Sequence, residues 1–117
     1  MDKGLALLAE QVEASLKLSD DLAGRALAAV NTVMGDEKLR PEDLDSTDAV
    51  LAAIYAARPG WSVSIRGAMS HPNGHWRCTL RRSLGRDNDD YLGVGRGPTL
   101  PHALLAALLK AMSFAAG

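Results

Sequence analysis

Gly60-Trp61-Ser62-Val63-Ser64-Ile65-Arg66, His75-Trp76-Arg77-Cys78-Thr79-Leu80-Arg81 and Tyr91-Leu92-Gly93-Val94-Gly95-Arg96-Gly97, followed by the run from Pro98 to Lys110, decide the fold. In the first two segments apolar and polar residues alternate with a period of two, the signature of a half-buried strand. Trp61, Val63 and Ile65 fall on one side of strand one, with Ser62, Ser64 and Arg66 on the other. Trp76, Cys78 and Leu80 face the core from strand two, while His75, Arg77, Thr79 and Arg81 face away. Asn73-Gly74 is the turn signal between them. The loop Gly85-Arg86-Asp87-Asn88-Asp89-Asp90 makes a second turn into a short third strand centred on Leu92 and Val94.

The period then changes to 3.6. Thr99 is positioned to cap a helix that tolerates Pro101 in its first turn. Leu100, Ala103, Leu104, Ala107, Leu108, Ala111 and Met112 form its apolar stripe, and Leu105 and Leu109 widen that stripe beyond what one sheet face requires. The surplus side should meet the N-terminal helices, another copy or a partner.

Upstream, Leu5, Leu8, Val12 and Leu16 recur at helical spacing and predict a helix over about residues 3–18. Ser19-Asp20-Asp21 opens a second helix carrying Leu22, Ala26, Leu27, Val30, Val33 and Met34, with Gly35 as its stop. The polar stretch 36–45, which holds Pro41, is the best internal boundary. A third helix follows Asp45-Ser46-Thr47, buries Val50, Leu51, Ile54 and Tyr55, and ends at Arg58-Pro59-Gly60. The expected fold is α+β: a helical hairpin over residues 1–35, then an α-β-β-β-α domain over residues 46–115. Its two helices cover one face of a three-stranded antiparallel sheet.

A chain of 117 residues, 47% of them apolar, suits one domain with an appended helical segment. The lone cysteine, Cys78, forms no internal disulfide, in keeping with a reducing, cytoplasmic setting. The start Met1-Asp2-Lys3-Gly4 lacks the basic and apolar blocks of a secretory leader, and no stretch has the apolar length of a membrane span. The net charge of −1 says little, but its distribution says more. Residues 1–59 hold six Lys/Arg against eleven Asp/Glu, whereas residues 60–98 hold six Arg against three Asp.

The chemistry-bearing patterns are weak. His71, His75 and Cys78 have a spacing open to zinc, but the strand period sends His75 and Cys78 to opposite faces and no fourth ligand is in view. Asp87-Asn88-Asp89-Asp90 resembles the start of a calcium loop, but Leu92 and Pro98 stand where glycine and glutamate are needed. Gly93-Val94-Gly95-Arg96-Gly97 lacks the lysine of a phosphate loop, and its glycines are expected to ease a tight passage from strand to helix. No nucleophile elbow or carboxylate pair appears, and His102 is expected to be an exposed first-turn residue. The reading is therefore of a non-enzymatic protein without metal or cofactor.

The lead-in Pro59-Gly60-Trp61, the Trp76 opening of strand two and the junction Gly95-Arg96-Gly97-Pro98-Thr99-Leu100-Pro101-His102-Ala103-Leu104, followed by Ala107-Leu108, resemble the phage ABA sandwich domain family over residues 46–112. That resemblance implies a phage or prophage origin and no catalytic residues. The α-β-β-β-α order also resembles the double-stranded-RNA-binding domain. However, Thr99-Leu100-Pro101-His102-Ala103-Leu104 holds no lysine where such domains clamp phosphates, so only the topology carries over.

Arg66, Arg77 and Arg81, with His75, form the partner-binding candidate, because three guanidinium groups on one open face suit forked hydrogen bonds to carboxylate or phosphate. Leu5, Leu8, Val12, Leu105 and Leu109 are the self-association candidates. The expected function is protein–protein interaction with an acidic partner, acting on or regulating a host system, in a chain that self-associates. The alternative is a nucleic-acid-binding module that uses the same arginine face.

Overall fold

In the computed structural model, residues 3–15, 17–34, 38–68, 75–81 and 93–115 are described, with Ala68, His75, Phe114 and Ala115 described in backbone only. The order is α1 (Lys3–Ala14), α2 (Asp20–Asn31), a 3-10 turn (Pro41–Asp45), α3 (Thr47–Ala57), β1 (Ser62–Ala68), β2 (His75–Arg81), β3 (Gly93–Gly97) and α4 (Leu100–Ala115). The strands form one antiparallel sheet ordered β1-β2-β3, which is the α+β architecture expected from the alternation. The Asn73-Gly74 turn, the loop 85–90, Leu92 and the Gly35 stop lie outside the described residues.

The caps form where the sequence places them. Ser19 adopts an extended conformation and its hydroxyl accepts from the Leu22 amide at 3.1 Å. Ser46 does the same for Ala49 at 3.2 Å, and Thr99 for His102 at 3.4 Å. Helix α1 stops at Ala14 rather than near residue 18, and Leu16 lies outside the described residues. The stretch 36–45 does more than link. Leu44 in its 3-10 turn is buried, and the Asn31 side chain holds Leu39 on both sides, accepting from its amide at 2.8 Å and donating to its carbonyl at 3.1 Å.

Helix α4 is the centre of the molecule. Every residue from Ala103 to Leu109 is fully buried, as expected of a helix apolar on all sides. It packs on β3 and β2, α1 runs against both α4 and β3, and α3 packs against α4 rather than on the sheet. Each fully buried leucine contributes about 1.5–3 kcal/mol of transfer free energy. The buried residues of α1 and α2 belong to the same cluster as those of α3, β2 and α4, so the hairpin shares its core with the rest of the chain.

This layering revises the self-association set. Leu105 and Leu109 are fully buried, Val12 likewise and Leu8 nearly so, while Leu5 packs half-buried against the same core. Burial within the chain's own core leaves those leucines and Val12 no surface to offer a second copy.

The close fit of α4 to the sheet depends on β3. Gly93, Gly95 and Gly97 alternate with Val94 and Arg96, so the three glycines share the face turned to α4. A Cβ on Gly95 would run into the backbone of Ala103 and Ala107, and one on Gly93 would stand 2.5 Å from the Ala107 carbonyl oxygen. The glycines therefore build a strand face rather than a passage into the helix, and Ala103, Ala107 and Ala111 supply the matching flat side.

Three residues of the expected apolar faces sit outside the core: Val33, past the end of α2 at Asn31, and two others. Tyr55 is 76% exposed, because the buried face of α3 centres on Val50, Ala53 and Ile54 and Tyr55 points past it. Ile65 is 44% exposed, although its register partner Cys78 is fully buried. The physical reason is coverage: α4 lies over β3 and β2, and β1 extends beyond it.

Candidate functional site: an arginine-bearing sheet face

Strand register brings the site together. In β1 and β2, Arg66 stands opposite Arg77, Ser64 opposite Thr79 and Ser62 opposite Arg81. In β2 and β3, Arg77 stands opposite Arg96 and Thr79 opposite Val94. Residues directly opposite one another in an antiparallel pair project to the same face, with Cβ atoms about 4.5–5.5 Å apart. Arg66, Arg77 and Arg96 thus form a continuous row, one per strand, running across the sheet on the side away from α4. Arg81 lies on the same face further along β2.

Ser64, Ile65, Arg66, Arg77, Thr79 and Arg81 line an open concavity of about 370 Å³ on this face. All four arginines are exposed. No ion pair is recorded for any of them among the described residues; the pairs found join Arg25 to Asp21, Arg40 to Glu42 and Lys110 to Glu13. No strand residue is acidic. Like charges directly opposite are unfavourable in a sheet, so the row holds electrostatic repulsion that an anion would relieve.

The concavity brings together Arg66, Arg77 and Arg81, as the sequence reading requires. The side chain of His75 and all of His71 lie outside the described residues, as do the four residues Asp87 to Asp90. Arg96 is the member that the sequence reading missed. Its signal was present, because glycines at 93, 95 and 97 leave Val94 and Arg96 as the opposite face of β3 once that segment is read as a strand.

The remaining titratable groups of interest are structural. Cys78 lies fully buried beneath the sheet, and burial pushes its thiol up to about 11. His102, expected at the surface, is buried, and its Nε2 lies 2.5 Å from the Val12 carbonyl oxygen. Arg58 stacks over Trp61 with its guanidinium carbon 5.7 Å from the ring centroid, and desolvation lowers its pKa. No group of three His, Cys, Asp or Glu able to hold a metal comes together among the described residues. Among the same residues no helix is long and apolar enough to cross a membrane.

No protein-family model, no curated protein and no solved structure matches the chain.

Proposed function

We propose that the protein is a non-catalytic interaction module whose arginine-bearing sheet face binds an acidic protein partner. The observation that carries this reading is the transverse row Arg66–Arg77–Arg96, flanked by Arg81 and the Ser64 and Thr79 hydroxyls, without an acidic residue in the strands. Guanidinium forks on a shallow face suit carboxylates presented by another protein surface. A nucleic acid is the weaker fit. The open-face positions Ser62, Ser64, Arg66, Arg77, Thr79, Arg81, Val94 and Arg96 include no aromatic on which a base could stack. The resemblance of residues 46–112 to the phage ABA sandwich family supports a phage or prophage setting, in which the partner would belong to a host system.

The test is a titration of a fluorescent glutamate-rich peptide at low salt, with duplex DNA and duplex RNA in parallel. Peptide binding that is lost in the Arg66→Ser, Arg77→Ser, Arg96→Ser triple variant supports the proposal. Tighter binding to a duplex, with a steep salt dependence, would transfer the face to nucleic acid. Absence of binding to all three ligands overturns the proposal.

A further inference from the structure

Strand β1 is the open edge of the sheet. It pairs with β2 on one side, and among the described residues no element packs against its other side, whereas β3 at the opposite edge lies alongside α1. Ser64, Ile65, Arg66 and Gly67 are all exposed. An unpaired strand edge presents a row of backbone donors and acceptors that an extended segment can complete.

The two faces of this edge differ in chemistry. Toward the open side β1 offers Arg66, the first member of the arginine row, beside Ser62 and Ser64. Toward the helix side it offers Ile65, left 44% exposed because α4 does not reach it, and half-buried Val63. A strand added beside β1 would place its alternate residues on these two faces.

We infer that the edge of β1 between Ser62 and Ala68 accepts an extended segment of the acidic partner as a fourth strand. The segment alternates acidic residues, which meet Arg66 and the arginine row, with apolar residues that cover Ile65. A second copy of this chain is a poorer occupant, since pairing β1 with β1 would bring two arginine rows onto one continuous face. The inference rests on the acidic-partner reading above and specifies how that partner docks.

The experiment uses the full chain and the capped peptide Glu-Val-Glu-Val-Glu-Val-Glu, with two versions N-methylated on the odd or the even residues, and Lys-Val-Lys-Val-Lys-Val-Lys as the charge-reversed control. The acidic peptide should bind and slow hydrogen exchange at the amides of residues 63–67 without changing those of α2. One N-methylated version should bind about tenfold or more weakly, because it loses the edge hydrogen bonds while keeping its charge. Arg66→Glu should weaken the acidic peptide and narrow its preference over the basic one, and the exposed substitution Ile65→Asp should likewise weaken the acidic one. Equal binding of all three acidic versions overturns strand addition and leaves the acidic-partner reading standing. Failure of every acidic peptide overturns both. A dimer in sedimentation that Ile65→Asp dissociates would give the edge to a second copy and overturn the inference.

Discussion

The His102 ring nitrogen Nε2 lies 2.5 Å from the carbonyl oxygen of Val12, joining the first turn of α4 to the last turn of α1 across 90 residues of sequence. A carbonyl oxygen only accepts, so Nε2 carries the proton. The same carbonyl also accepts from the Ser15 amide at 3.2 Å, where α1 ends. This buried bond fixes where the cap of the central helix meets the hairpin.

Replacing His102 with alanine removes that bond and the packing of a ring that is 5% exposed. The loss of a buried polar interaction and its desolvated partner costs about 1–3 kcal/mol. The expected outcome is a lower urea midpoint with α1 as the region of fastest hydrogen exchange. An unchanged midpoint would remove His102 from the set of structural residues.

Two glycine-to-alanine substitutions should have opposite signs. At Gly95 the added methyl meets the backbone of α4, which cannot move aside as a flexible side chain would. Overpacking of this kind costs about 1–3 kcal/mol and occasionally more. At Gly24, within α2, nothing stands within 4 Å of the new methyl, so Gly24→Ala should stabilise by about 0.5–1 kcal/mol through helix propensity. Thermal denaturation of the two variants beside the parent measures both.

Arg77 stands between Arg66 and Arg96 in register, so Arg77→Thr removes the charge common to both like-charge contacts and installs a residue suited to a strand. It should stabilise the isolated protein by about 0.2–1 kcal/mol at low ionic strength. That gain should shrink as salt is added, because the guanidinium groups are exposed. The same variant should bind the acidic peptide more weakly. A gain in stability with a loss in binding separates a functional row from a structural one; a loss of both would make it structural.

Burial raises the Cys78 thiol from 9.0 to about 11, so the folded protein holds this proton more tightly than the unfolded chain does. The sign follows from linkage: the contribution to stability is complete below pH 9 and is lost as pH rises toward about 11. At neutral pH the folded protein should resist a thiol reagent such as 5,5′-dithiobis(2-nitrobenzoic acid), reacting only as fast as it opens. Stoichiometric labelling within seconds under native conditions would contradict the buried placement.

Much of the fold is legible in the chain, because the signals are local. Ser19, Ser46 and Thr99 cap helices by reaching an amide three residues ahead, and the alternation in residues 62–66 and 75–81 sets the strand faces before any strand pairs. Arg66, Arg77 and Arg81 are readable as one face for the same reason. Arg96 escapes that reading when the glycines around it are taken for a loop.

The sequence by itself determined the element types, the α-β-β-β-α order and the segregation of arginines from apolar residues, since periodicity and capping act over a few neighbouring residues. Only the tertiary structure decided the register that aligns Arg66, Arg77 and Arg96, the burial of Leu105 and Leu109 within the chain's own core, and the exposure of Ile65. The physical reason is close approach. The bare backbone at Gly93, Gly95 and Gly97 draws the alanine side of α4 onto β3, and that choice of seat leaves β1 beyond the reach of α4.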